Sequence, residues 1–190
     1  KTLPGVPKQF GCNVTMAKLK ALNKFVSDLP ETDLVYGLNA LTRIVEANGS
    51  TWDCRNAKEI VQLGIMEKTR FELGNEPALW QSNKWTLTTA QEHAQDFAKL
   101  RNLTASRYQS VIGPDWFIQC FPTYPQCNTK YLKEFLQAHP SLDVVTYHSY
   151  PWLGTILQPE TPLAADLYNE TFLNIEGIAA KAVVQAVRET

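Results

Sequence analysis

The sequence predicts an α/β fold built on parallel strands, and three observations point to it. Short apolar runs alternate with helical patterns along the chain, each run ends in polar side chains, and no G-x-G-x-x-G phosphate loop follows the first of them. In a parallel sheet the C-terminal strand ends share one face, and in a closed (β/α)8 TIM barrel they converge on one cleft. The run ends Asn39, Asn75-Glu76, Asp115 and His148-Ser149-Tyr150 therefore favour a barrel over an open doubly wound sheet, which should carry the phosphate loop.

Each element has its own signal. "TMAKLKALNKFVSDL" (Thr15 to Leu29) places apolar residues at helical spacing, with Thr15 or Asn13 able to cap its start. "DLVYGLN" (Asp33 to Asn39) is a short apolar run that reads as a strand. "NAKEIVQLGIMEK" (Asn56 to Lys68) is helical, "RFELGN" is strand-like, and "TTAQEHAQDFAKLRNLT" is a long amphipathic helix. "SVIGPD" (Ser110 to Asp115), a helix in "NTKYLKEFLQAHP", the strand "LDVVTYHSY" (Leu142 to Tyr150) and a final helix within "YNETFLNIEGIAAKAVVQAVRET" complete the pattern.

A barrel needs eight strands and about 250 residues. The 190 residues here offer four strand candidates, beginning on a helix and ending on one. The expectation is a partial domain over residues 1–190, truncated at both ends, whose partner is the remaining barrel segments of the same precursor.

With 44% hydrophobic and 19% charged residues the chain reads as globular. A net charge of -1 supplies no broad basic field, which argues against nucleic acid as a partner. No run approaches the apolar length of a membrane span, so no transmembrane segment is expected, and "KTLPGVPKQFGC" has no apolar signal core. Four glycosylation sequons, at Asn13, Asn48, Asn102 and Asn169, nevertheless point to export, hence to a secreted or extracellular location. In an oxidising compartment Cys12, Cys54, Cys120 and Cys127 allow three pairings. Cys120 with Cys127, closing a Pro-rich loop, and Cys12 with Cys54 is the preferred set, against four free buried thiols.

Glu76 closes a strand on the cleft side. Asn75 before it can both donate and accept hydrogen bonds, and Pro77 after it is expected to hold Glu76 in extended geometry. A fixed carboxylic acid beside an amide suits glycoside hydrolysis, the acid protonating the leaving oxygen while the amide binds a sugar hydroxyl. The alternative is a solvated loop acid. His148 stands at a strand end, where it either contacts substrate or is a structural histidine. His93, within the long helix, and His139, before Pro140, read as surface residues. Asp115 and Asn39 would bind sugar hydroxyls or satisfy backbone amides. No Cys/His ligand spacing suggests a metal, and the chemistry requires neither metal nor cofactor.

"DLVYGLNALTR", "FELGNEP", "IGPD" and "VVTYHSY" follow one another in an order and spacing similar to the heparanase and β-glucuronidase family of retaining glycoside hydrolases. The resemblance runs from about Thr15 to Thr190. It implies that the chain supplies roughly strands three to six of a catalytic barrel and their helices. It further implies Glu76 as acid/base at the end of strand four, Asn75 on the sugar 2-hydroxyl, and His148 and Tyr150 on strand six near the nucleophile. The family's nucleophile ends strand seven, which here would lie past Thr190. Glu160, Glu170 and Glu176 fall in the strand-six loop and the following helix and do not replace it.

Heparan-cleaving members carry a basic segment after "IGPD". Here "WFIQCFPTYPQCNTK" has no Arg and one Lys, so a highly sulfated chain would lose its main electrostatic attraction. Trp116, Phe117, Phe121 and Tyr124 would stack on sugars or pack around their own loop. The resemblance thus implies a glucuronidase acting on oligo- or polysaccharides containing glucuronic acid, in a secreted or lysosomal setting. Its rival is a catalytically inactive extracellular relative that binds carbohydrate or a protein partner.

Overall fold

The computed structural model describes residues 14–62, 69–77, 80, 88–104, 111–112, 116–117, 119–121, 124–138, 140–148 and 175–190. Helix α1 (Met16–Ser27) opens the described chain. Its N-cap is Thr15, whose hydroxyl accepts from the Lys18 N–H, and it leads into β1 (Leu34–Leu38). A hairpin of β2 (Arg43–Glu46) and β3 (Gly49–Trp52) follows, then α2 (Arg55–Gln62) and β4 (Thr69–Leu73). The long helix α3 spans Ala90–Thr104, and β5 (Val111–Ile112), β6 (Trp116–Phe117), β7 (Gln119–Phe121) and β8 (Tyr124–Asn128) come next. Helix α4 (Lys130–Gln137), β9 (Tyr147–His148) and α5 (Ile175–Arg188) complete the set.

The main sheet is parallel in the order β1-β4-β5, with Leu34 to Leu38 beside Thr69 to Leu73 and Phe71 beside Val111. Beyond it β6 pairs in parallel with β9, Phe117 lying opposite His148. The fold is thus α/β with parallel strands, as the alternating pattern predicts. The described residues form no closed barrel.

In β4 the alternation is strict. Thr69, Phe71 and Leu73 are buried, while Arg70 and Glu72 face the other way and stay partly exposed. Phe71 and Leu73 join Phe97 and Leu100 of α3 and Leu132 and Phe135 of α4 in one core cluster. Burying each such side chain contributes about 1.5–3 kcal/mol, so the helices are held to one face of β4 and its carboxylate is left to the other.

The β2–β3 hairpin has no counterpart among the predicted elements. Its two-residue turn, Ala47-Asn48, precedes Gly49, and Asn-Gly between alternating apolar residues was the available signal. The hairpin is clamped to α3 by a buried ion pair: Arg43 reaches Asp96 at 2.7 Å, and Asp96 also accepts from the Trp52 N–H at 3.0 Å. Burial pushes the Asp96 carboxyl up, against the pull of Arg43 and that N–H. Removing one partner of such a pair typically costs about 3–5 kcal/mol, because the other charge is stranded.

Thr89 and Glu92 close a capping box on α3, and the second Glu92 oxygen accepts from the Ser50 N–H at 2.7 Å. A Cβ at position 49 would lie 2.5 Å from that oxygen, which is why a glycine stands there, at φ +148. Burial disfavours the Glu92 carboxylate, but the N–H groups of Thr89 and Ser50 outweigh it and hold the group below its ordinary range. No described helix is long and apolar enough to cross a membrane.

Candidate active site

The site begins where β4 stops. The Leu73 carbonyl accepts from Nε2 of His93 at 3.2 Å, and the Gly74 N–H donates to the Leu38 carbonyl of β1 at 3.0 Å. Gly74 then turns the chain at φ +87. A Cβ there would meet Cη2 and Cζ2 of Trp80 at 2.6 Å and the Ala40 Cβ at 3.1 Å, so only glycine lets the indole lie against the turn. From that position Trp80 donates its indole N–H to the Asn75 carbonyl at 2.7 Å. Asn75 is left exposed and Glu76 partly buried just past the strand end.

Glu76 departs from the expectation of extended geometry. Its φ is +48, in the left-handed region that non-glycine residues rarely adopt. Pro77 does exclude the right-handed helical region, as the sequence implies. The turn at Gly74 and the Trp80 bond select the left-handed well instead of the extended one. A residue so held costs on the order of 1–3 kcal/mol and persists only where neighbours fix it, a pattern concentrated at functional sites.

His148, at the end of β9, brings its Nδ1 to 2.8 Å from Oε1 of Glu76. The two side chains are 22% and 21% exposed, so both are mostly buried yet open to solvent at one edge. A hydrogen bond between these atoms requires one proton between them, carried by either residue. Two residues earlier, just before β9, the Thr146 hydroxyl donates to Oε1 of Glu72 at 3.0 Å. Glu72 and Thr146 lie inside the quoted motifs and Trp80 and His93 outside them, but none of the four was legible as part of the site, since their contacts join residues that are not adjacent in the chain. The alternation of β4 alone could have put Glu72 on the face that leads to Glu76.

His93 overturns its reading as a surface residue. It is fully buried, with ring centroids 4.9 Å from Trp80 and 5.3 Å from both Phe97 and Phe135. Burial, reinforced by the positive charge of Arg43 against the pull of the Leu73 carbonyl, lowers its pKa to about 3. The ring is therefore neutral at ordinary pH, with its proton on Nε2 for Leu73 and with Nδ1 lacking a hydrogen-bond partner among the described residues.

The remaining expected residues are distributed as follows. Asn39 is exposed, and its amide serves its own turn, accepting from the Leu41 N–H at 2.8 Å and donating to Thr42 at 3.3 Å. Asp115, Tyr150 and His139 lie outside the described residues, as do the sequon asparagines Asn13 and Asn169. Asn48 is exposed at the hairpin turn, and Asn102 is exposed on α3, although the Thr104 of its sequon is buried. Cys120 and Cys127 are register partners across β7 and β8, so the backbone sets them opposite each other. Cys54 is packed against the core cluster as α2 begins and makes no bridge among the described residues, while Cys12, its expected partner, lies outside them.

A strand-end Asn-Glu pair whose acid is hydrogen-bonded to a histidine on another strand is an arrangement suited to glycoside hydrolysis. Residues 8–190 match the profile of Glycosyl hydrolase family 79, N-terminal domain, and the chain belongs to that family. Among curated proteins it is similar to the heparanase of Bos taurus, 31% identical over 149 residues, which is 75% of this chain and 26% of that protein. It is 29% identical over 153 residues to the heparanases of Mus musculus and Gallus gallus, covering 77% and 75% of this chain and 27% of each relative. The chain thus spans about a quarter of the length of these relatives. The family resemblance carried by the four motifs is confirmed.

Proposed function

We propose that this chain supplies the acid/base half of a retaining glycoside hydrolase that cleaves β-glucuronosyl linkages in glycosaminoglycan or other glucuronide substrates. The observation that carries the reading is the 2.8 Å contact between Glu76 and His148 beside an exposed Asn75. In this reading the parallel strands β1, β4, β5–β6 and β9 are strands three to six of a (β/α)8 barrel. The rest of the barrel, with the second carboxylate on a segment after Thr190, comes from the same full-length protein. Family membership supports the hydrolase chemistry. The Arg-free segment 116–130 favours a glucuronide over a highly sulfated chain. The sequons, two of them on exposed asparagines, support a secreted or lysosomal location.

Retaining hydrolysis proceeds in two displacements. In the first, the second carboxylate attacks the anomeric carbon, the bond to the leaving oxygen breaks, and Glu76 delivers its proton to that oxygen. In the second, water attacks the glycosyl ester, Glu76 takes a proton from the water, and the carboxylate leaves. The bond to His148 fixes the rotation of the Glu76 carboxyl and provides a second station for the proton it cycles. Asn75 is placed to bind the sugar 2-hydroxyl, while His148, Tyr150, Asn39 and Asp115 would line the subsite.

The test uses the full-length protein. A glucuronic-acid-configured mechanism-based inactivator should label a glutamate C-terminal to Thr190. Glu76→Gln should lower kcat/KM for an alkyl glucuronide by roughly 10²–10⁴-fold while sparing kcat/KM for an aryl glucuronide whose phenolate leaves unprotonated, the lost general base lowering kcat for both. Full alkyl glucuronide activity in Glu76→Gln would sink the acid/base role. Absence of labelling and turnover, where a competent glucuronidase labels, would favour the non-catalytic relative.

A further inference from the structure

The Glu76–His148 bond is accompanied by a second side-chain hydrogen bond between the same two segments. Glu72 and Glu76 come from β4 and its exit; His148 ends β9, and Thr146 immediately precedes that strand, two residues earlier. β4 hydrogen-bonds to β5, and β9 to β6, so the backbone does not join β4 to β9 directly in these ladders. Both glutamates reach the β9 segment by side chain, Glu72 to the Thr146 hydroxyl at 3.0 Å and Glu76 to the histidine ring at 2.8 Å. Among the described residues β9 pairs with β6 over two positions, and the two side-chain hydrogen bonds tie its segment to β4.

We infer that Thr146 and Glu72 are positioning residues for the proposed acid/base: their hydrogen bond sets β9 at the height that brings His148 to Glu76. This rests on the reading of Glu76 as acid/base. A hydroxyl donating to a carboxylate is among the stronger side-chain hydrogen bonds and is short-ranged, so it fixes a position that apolar packing would leave loose. His148 is two residues further along, about 6.6 Å at strand rise, too close for a shift at Thr146 to be absorbed before it reaches the ring. An acid displaced by about 1 Å loses rate far out of proportion to the distance.

The experiment is kinetic, on the full-length protein with two substrates. An alkyl glucuronide needs its leaving oxygen protonated, and an aryl glucuronide with an acidic phenol does not. Thr146→Val, close in size but without the hydroxyl, should lower kcat/KM for the alkyl substrate roughly tenfold to a hundredfold while changing the aryl substrate much less. Thr146→Ser should restore most of the loss. In a His148→Gln background Thr146→Val should add little, because it acts through the ring. Should Thr146→Val fail to fold, Glu72→Gln, which keeps size and weakens the acceptor, should show a smaller loss with the same split. Equal losses on both substrates, or none, would overturn the inference while Glu76→Gln still splits them. If Glu76→Gln itself shows no split, the acid/base reading fails and the inference fails with it.

Discussion

Nδ1 of His148 and Oε1 of Glu76 lie 2.8 Å apart although 72 positions separate them in the chain. The hydrogen bond between them needs one proton, carried by one residue or the other. Replacing His148 by Gln keeps a hydrogen-bonding group but removes a titrating one. We expect kcat/KM for an alkyl glucuronide to fall by about 10–100-fold and the pH–rate profile to change shape. A pH series on wild type and variant checks this, and an unchanged profile would mean that His148 does not share the working proton.

Gly74 is the position where the strand exit is most easily broken. Gly74→Ala would force a side chain into the left-handed region at φ +87 and drive its Cβ to 2.6 Å from a buried indole ring that cannot swing aside. The expected loss of stability is about 2–4 kcal/mol, from backbone strain and overpacking together. Urea unfolding of the full-length protein measures it. A change below about 0.5 kcal/mol would show that the turn relaxes more freely than this packing implies.

His93 gives a pH signature with a definite sign. Its folded pKa is lowered from 6.5 to about 3, so between those values the unfolded chain binds a proton that the folded chain refuses. Its contribution therefore falls as pH drops from 6.5 toward 3, on the order of 1 kcal/mol per pH unit. His93→Gln, whose amide can still donate to the Leu73 carbonyl, should lower stability near neutral pH yet flatten the slope between pH 6 and 4. Denaturation midpoints across that range decide it. A slope identical to wild type would mean that the ring titrates normally.

Much of the fold was legible in local pattern. The strand β4 and helix α3 follow from apolar residues at periods of two and 3.6, and Thr15 caps α1 as its position suggests. The Asn75-Glu76-Pro77 motif located the candidate acid for the same reason: it is contiguous. The Arg43–Asp96 clamp was not legible, since its partners are 53 positions apart and no motif holds both.

The sequence by itself determined the alternation of strands and helices, the polar groups at the strand ends, and the family, because each is written in periodicity or in short runs of adjacent residues. Only the tertiary structure decided that Glu76 sits at φ +48, that His148 reaches it, and that His93 lies in the core. Those outcomes depend on which side chains meet after the helices have packed on one face of the sheet. The lone histidines show this most clearly: nothing near His93 in sequence marks it as buried, but the packing of Trp80, Phe97 and Phe135 around it does.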